Sequence, residues 1–193
     1  MKHVILGWGS LLWDQGTFRL PLRSEWESTG PLLPLEFSRV SKTRHGALTL
    51  VADPENGADC GTSFAVSSRW LLDDAICDLR CREGTILQRI GFVDLVSGAQ
   101  RANVHPGLAD VLRRWAQERG FASVVWTDLP SNFNENGRGP FSVETAERYL
   151  RGLDADGARS AREYITLAPQ CIRTPLRERV EGAEWWATYG GAT

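Results

Sequence analysis

The sequence has few of the residues that mark disulfide-rich, metal-bound or nucleic-acid-binding proteins. Its 193 residues include one Met, three His, four Cys and three Tyr, and the net charge is -2. Nonspecific binding of nucleic acid requires an excess of basic residues, so this balance argues against that class. Of the 22 basic residues, two are Lys and 20 are Arg. Genomic base composition would explain that bias, and so would recognition of carboxylate or phosphate groups.

The chain also lacks the features of secreted and membrane proteins. Four cysteines do not make a disulfide framework at this length. No apolar run approaches about 18 residues, and no secretory signal pattern opens the chain. Cys77 and Cys81 lie four residues apart with no second pair, which does not favour a zinc site. We therefore predict a reduced, cytoplasmic protein with no membrane span, no metal and no nucleic-acid partner.

The length favours one domain. At about 150 residues per domain, 193 residues fit a single domain better than two, and such a chain buries about 70% of its unfolded surface. We find no internal repeat, low-complexity tract or flexible linker. We therefore predict a single domain over 1–193, with an irregular C-terminal tail from about 169. Nothing in the sequence indicates the oligomeric state.

Strand-like and helix-like patterns follow one another without regular alternation. Strands are predicted over 2–6, 35–41, 47–51, 62–66, 90–96 and 124–126. Helices are predicted from Ser67 or Ser68 toward Glu83, from Pro106 to Gly120, from Ser142 to about Leu153 and from Arg159 to Ala168. This order argues against a doubly wound parallel sheet and favours an α+β fold or a small mixed β-barrel.

A glycine-rich turn follows the first predicted strand. Gly7, Trp8, Gly9 and Ser10 form it, and such a turn leaves backbone N–H groups available to an anion or a carboxylate. It is not a dinucleotide fingerprint, because Leu12 stands where a third glycine would be required. A plain tight turn with no ligand explains the pattern equally well.

Glu83 is the residue whose spacing is most informative. The predicted helix has an apolar stripe that consists of Leu72, Ile76 and Leu79. Glu83 follows Leu79 four residues later, in line with this stripe. If the helix reaches Glu83, its carboxylate ends the stripe and does not share the charged face with Asp73, Asp74 and Asp78. Partial desolvation would then raise its pKa into a useful range for acid–base catalysis. The alternatives are an ion pair with Arg80 or Arg82, or a helix that ends earlier.

Taken together, the turn and the Glu resemble parts of the γ-glutamylcyclotransferase superfamily. The segment 4–13 resembles its first strand and loop, and the continuation looks most like the ChaC-type branch, which acts on glutathione. The segments that carry the resemblance are 4–13, 48–54, 60–66, 79–84, 126–133 and 161–165. It therefore spans about residues 4–165, and its specificity comes from the order and spacing of short motifs.

The resemblance implies a fold, a reaction and a site. The fold would be a small mixed β-barrel with surrounding helices. The reaction would cyclise a small γ-glutamyl compound to 5-oxoproline and release an amine, amino acid or peptide, without a cofactor or metal. Glu83 would be the general acid and base, and the substrate-binding residues would be Gly7, Trp8, Gly9, Ser10, Leu11, Arg39 and Trp126.

Two departures from the family leave the substrate open. Trp8 stands where the family usually has Tyr, and Trp126 lies near where the branch often has another. Each exchange removes a hydroxyl and adds a larger ring with one N–H donor. Two other functions also remain open: a non-catalytic barrel that binds a small ligand or a protein, and a Cys-based acyl transferase with a pair such as Cys60 and His45.

Overall fold

The fold is taken from a computed structural model, which describes residues 1–14 and 16–191, with Asn136 described by its backbone alone. The strands are β1 (His3–Gly7), β2 (Leu32–Val40), β3 (Leu48–Ala52), β4 (Ala58–Gly61), β5 (Ser63–Val66), β6 (Ile90–Asp94), β7 (Gln100–Arg101) and β8 (Ser123–Thr127). The α-helices are α1 (Leu72–Glu83), α2 (Pro106–Arg119), α3 (Val143–Arg151), α4 (Ala155–Leu167) and α5 (Pro175–Glu181). The protein is therefore an α+β protein, as predicted.

The chain divides into two compact units, each built from two separate segments. Unit 1 consists of residues 1–33 and 61–129, and unit 2 consists of residues 34–60 and 130–193. The sequence contains no linker at these boundaries, because the chain crosses between the units inside β2, inside β4 and just after β8. That the two units fold together as a single domain remains a prediction.

Unit 1 contains a five-stranded mixed sheet in the order β5-β1-β8-β6-β7. β1 is antiparallel to β5 and parallel to β8, while β6 is antiparallel to both β8 and β7. Helix α1 packs on one face of this sheet through a continuous core of Ile5, Leu20, Ile76, Leu79, Ile90 and Val125. The first strand thus lies between β5 and β8, and the glycine-rich turn follows at its end.

Unit 2 contains the smaller sheet and the last three α-helices. Its strand order is β3-β2-β4, with β2 antiparallel to β3. Helix α3 begins with a capping box, because the Ser142 hydroxyl accepts from the Thr145 N–H at 3.1 Å while the Thr145 hydroxyl accepts from the Ser142 N–H at 2.9 Å. This cap was predicted from Ser142 alone. Among the described helices of both units, none is long and apolar enough to cross a membrane.

The segment after 169 differs from the prediction of an irregular tail. It contains α5, which Thr174 caps by accepting from the Arg177 N–H and in which Pro175 takes the first position. The Trp185 and Trp186 rings meet edge to face with centroids 5.6 Å apart. The Arg162 guanidinium carbon lies 4.6 Å from the centroid of the Trp186 ring, a cation–π contact. The segment that contains Trp186 therefore packs against α4.

Two other local predictions were wrong. Neither Ser67 nor Ser68 caps α1, whose N-cap position is Leu71 without a side-chain hydrogen bond. Asp78 does not lie on the charged, solvent-facing side of α1. It is only 7% exposed and accepts two hydrogen bonds from the Arg69 guanidinium, at 2.6 and 3.1 Å. A partner before the helix therefore neutralises a carboxylate that the helix periodicity alone would leave in water.

Gly91 is required by the packing of Trp126 on the neighbouring strand. The two residues are paired across β6 and β8, and Trp126 is fully buried. A Cβ atom on Gly91 would lie 2.2 Å from Cε2 of the indole, which has no free space to move into.

We expect Gly91→Ala to lower the free energy of unfolding by about 2 kcal/mol, because the enlarged strand must displace a buried ring. Urea unfolding of the variant measures this directly. Gly107→Ala is the matched control, since a Cβ at that position of α2 meets nothing within 4 Å. Equal stability of the two variants would contradict this description of the sheet.

Candidate functional site

The glycine-rich turn lies at the end of β1, in the interior of unit 1. Trp8 is only 6% exposed and Gly7 and Gly9 are buried. The chain then forms a short 3-10 turn over Ser10–Leu12, in which the Leu12 N–H donates to the Gly9 carbonyl at 3.0 Å. The N–H groups of Trp8, Gly9, Ser10 and Leu11 find no acceptor among the described residues.

Several neighbouring N–H donors without a protein acceptor are costly in a buried turn, because water is largely excluded there. Their common position suits an anionic or strongly polarised oxygen, which accepts from more than one backbone N–H. This is the chemistry that the sequence predicted for the N–H groups of Gly7, Trp8, Gly9 and Ser10; Leu11 was predicted only as a substrate-binding residue.

Gly7 fits closely between two side chains. A Cβ atom at this position would lie 3.1 Å from Leu12 Cδ2 and 3.1 Å from Trp26 Cζ3. Both neighbouring side chains also line a depression next to the turn. The glycine therefore brings the turn into contact with the wall of that depression.

Helix α1 reaches Glu83 and ends there, so the alternative of a helix that ends earlier is wrong. Ile76 and Leu79 are buried and Glu83 is half-buried, so the carboxylate does lie at the end of the apolar stripe. Gly84 terminates the helix with φ of 57°, and its N–H donates back to the carbonyls of Arg80 and Cys81. The position of Glu83 at the last helical residue is thus fixed by the cap that follows it.

Arg82 joins the end of α1 to the chain that follows the turn. Its guanidinium donates a hydrogen bond to the backbone carbonyl of Asp14. Glu83 is the next residue along the helix. This hydrogen bond joins the residue before Glu83 to the loop four residues after Ser10, so the end of α1 and the loop after the turn lie in the same part of unit 1.

A cleft of about 570 Å³ lies at this junction. Its volume falls within the range of small-molecule sites, roughly 300–1,000 Å³. The lining residues come from the loop after the turn, from the following segment and from α1: Leu11, Leu12, Trp13, Asp14, Arg19, Leu20, Pro21, Leu22, Arg23, Ser24, Glu25, Trp26 and Arg82. Of the predicted site residues, Leu11 is among these lining residues, and Gly7, Trp8, Gly9, Ser10 and Glu83 are not.

Trp126 lies on the other face of the unit 1 sheet. Its neighbour Val125 belongs to the core beneath α1, and successive strand residues point to opposite faces. The Trp126 indole N–H is buried and has no hydrogen-bond partner among the described residues. Trp126 therefore packs against Gly91 on the side away from α1 and the cleft.

Arg39 belongs to unit 2, where its guanidinium donates to the Pro130 carbonyl at 2.7 Å. This hydrogen bond fixes the guanidinium against the segment that follows β8. Its predicted role in substrate binding stays a prediction.

The cysteines do not form an obvious nucleophilic site. Cys60 is 1% exposed, and burial raises the pKa of its thiol, which disfavours the reactive thiolate. His45, its suggested partner, lies in an exposed turn with φ of 52°. Cys77 and Cys81 are exposed on α1. Within the described residues, no group of three or more His, Cys, Asp or Glu side chains is arranged to hold a metal ion.

Sequence reasoning missed the far wall of the cleft, which consists of residues 19–26. This segment reads as an irregular excursion because it has neither period 2 nor period 3.6. Arg19, Arg23 and Trp26 could have been singled out only as an unusual density of guanidinium and indole groups close to the turn.

Comparison of the chain with models of protein families, with curated proteins and with solved structures found no match.

Proposed function

We propose that the protein is a γ-glutamylcyclotransferase-like enzyme that converts a γ-glutamyl compound to 5-oxoproline. One observation carries this proposal: the hydrogen bond from Arg82 to the Asp14 carbonyl, which brings the end of α1, with Glu83, beside the loop that follows Gly7–Ser10. The sequence supplied these two elements independently, 70 or so residues apart.

The reaction needs positioning and one proton carrier. The α-amine of the substrate attacks its own γ-carbonyl carbon, a C–N bond closes the five-membered ring, and the bond to the leaving nitrogen breaks. Because the reaction is intramolecular, holding a folded conformer of the substrate supplies much of the acceleration. The attacking amine loses a proton and the leaving nitrogen gains one, so a single carboxylate can serve both steps.

The residues of unit 1 suit these roles. The N–H groups of the turn, which lack protein acceptors, would bind the γ-carbonyl oxygen as negative charge develops on it, or the α-carboxylate. Glu83 would take the proton from the α-amine and return it to the leaving nitrogen. Trp13 and Trp26 give the cleft apolar walls for the methylene chain of the substrate.

Several finer points belong to the same proposal. The described strands form separate sheets of five and three strands, and closure into the small barrel of the superfamily remains proposed. The cytoplasmic location is proposed from the reduced cysteines and the nature of the substrate. The proposal gives Trp126 no contact with substrate, because its side chain is fully buried on the far face of the unit 1 sheet.

Formation of 5-oxoproline, followed by mass spectrometry, tests the proposal. The panel contains γ-glutamyl dipeptides, γ-glutamyl amines and glutathione, each incubated with the purified full chain. We expect 5-oxoproline and the free leaving group in equal amounts from at least one member. A folded protein that forms no product from any member would refute the proposal and favour the non-catalytic, ligand-binding alternative.

A further inference from the structure

The cleft carries two cationic side chains for which the cyclisation itself has no use. Arg19 and Arg23 line it from the segment opposite α1, and both side chains are exposed. Within residues 1–14 and 16–191, neither guanidinium has an ion pair or a hydrogen bond. The third cleft arginine, Arg82, is already engaged with the Asp14 carbonyl.

The segment that carries these arginines is firmly attached to unit 1. The Arg23 N–H donates to the Val66 carbonyl at 2.7 Å, and the Ser68 N–H donates to the Pro21 carbonyl at 2.8 Å. Leu20, between the two arginines, belongs to the core beneath α1. Their backbone positions are therefore set before any ligand arrives, which reduces the entropy lost on binding.

The acidic residues of the cleft do not cancel this charge. Asp14 uses its carboxylate within its own loop, where Oδ1 accepts from the Gly16 N–H at 2.8 Å. Glu25 is exposed, and the three arginines outnumber the two carboxylates in the lining. A planar guanidinium matches a carboxylate with two parallel hydrogen bonds, which a neutral alkyl group cannot accept.

We infer that Arg19 and Arg23 form the subsite for a carboxylate on the leaving group, so that the enzyme selects γ-glutamyl amino acids and peptides over γ-glutamyl amines. This inference rests on the proposed function, because it assigns the part of the substrate that leaves. The two arginines are specificity-determining residues; Glu83 and the turn carry out the reaction on either kind of substrate.

Binding of a pair of unreactive ligands tests the subsite without turnover. Glutaryl-alanine and glutaryl-ethylamine both lack the attacking amine, so neither can cyclise, and they differ by one carboxylate. Fluorescence of Trp13 and Trp26, which line the cleft, reports binding. We expect the full chain to bind glutaryl-alanine about tenfold more tightly, the effect of a solvent-accessible charged hydrogen bond pair.

The double variant Arg19→Gln/Arg23→Gln is expected to lose this tenfold preference while binding glutaryl-ethylamine as before. Arg113→Gln/Arg114→Gln removes the same charge from α2, outside the cleft lining, and should keep the preference. Equal binding of the two ligands by the unaltered chain, or an unchanged preference in the Arg19 and Arg23 variant, would overturn the inference.

Turnover separates this inference from the proposed function. With γ-glutamyl-alanine and γ-glutamyl-ethylamine as substrates, kcat/KM should favour the alanine compound about tenfold, through KM. Carboxylate-dependent binding without any 5-oxoproline would refute the proposed function and leave the anion subsite standing. Formation of 5-oxoproline at equal kcat/KM from both compounds would refute the subsite and leave the function standing.

Discussion

Replacement of Glu83 by Gln is expected to lower kcat for 5-oxoproline formation by about 10²–10⁴-fold, the usual contribution of a positioned acid–base group. The amide keeps the size of the side chain at the last residue of α1 but cannot take a proton from the α-amine. Ile76 and Leu79 anchor the helix in the core and the Gly84 cap is made by backbone atoms, so we expect the fold to be preserved. Initial rates measured by mass spectrometry give the effect.

The affinity for an unreactive ligand decides what the loss of activity means. Glutaryl-alanine should bind Glu83→Gln within about a factor of three of the unaltered chain, because the carboxylate acts on a proton that this ligand lacks. Glu118→Gln, an exposed change on α2, is the matched control and should retain full activity. Near-normal turnover by Glu83→Gln would exclude Glu83 as the acid and base.

Helix ends were the part of the structure that local sequence signals predicted best. Gly120, the predicted end of α2, adopts the left-handed conformation that ends a helix, with φ of 67°; Gly84 ends α1 in the same way with φ of 57°, although it was not singled out in the sequence. Ser142 caps α3 with its own side chain. Each of these features depends on residues within one turn of helix, so the chemistry that determines them is visible in a short window of sequence.

Features that depend on distant partners could not be predicted in this way. The alternation in β2 indicates a half-buried strand, yet Leu35, Glu36, Phe37 and Ser38 are all buried. One of the donors that make burial of Glu36 acceptable, the Leu176 N–H, comes from α5, 140 residues further along the chain. A helix that short gives almost no periodic signal, and no spacing rule connects it to a strand near the N-terminus.

The candidate site combines both kinds of information. Spacing placed Glu83 at the end of an apolar stripe, and composition identified the glycine-rich turn. Their proximity depends on where the Arg82 side chain reaches across to Asp14, which spacing does not determine. The opposite wall, from Arg19 to Trp26, is held by hydrogen bonds to β5 and the residues after it, and these become evident only in the folded chain.

Glu36 is a fully buried carboxyl group in unit 2, and the fold surrounds it with donors. The Phe37 N–H donates to Oε1 at 2.6 Å, and the Leu176 N–H, in the first turn of α5, donates to Oε2 at 3.1 Å. Burial nevertheless raises the pKa of Glu36 from its ordinary value of 4.5 to about 7, with the hydrogen bonds from Thr174, Phe37 and Leu176 opposing the rise and the charge of Asp53 adding to it.

This raised pKa predicts how stability changes with pH. Between pH 4.5 and about 7 the folded chain keeps a proton on Glu36 that the unfolded chain has released. The stabilisation is therefore complete below pH 4.5 and is lost as the pH rises through about 7. A difference of this size corresponds to about 3 kcal/mol. The raised pKa of the Cys60 thiol lies above its ordinary value of 9.0, outside this range.

We therefore expect the free energy of unfolding, measured in urea, to fall by about 3 kcal/mol between pH 5 and pH 8 through Glu36. Glu36→Gln cannot release a proton, so its stability should vary much less over this range. The variant should be less stable than the unaltered chain at pH 5, because its amide N–H₂ faces the donors of α5. Glu163→Gln, at an exposed position of α4, should keep the full pH dependence. An equal dependence of stability on pH in Glu36→Gln and Glu163→Gln would contradict this account. Glu36 would then be ionised in the folded chain, stabilised by the N–H groups of Phe37 and Leu176, and another group would bind the proton.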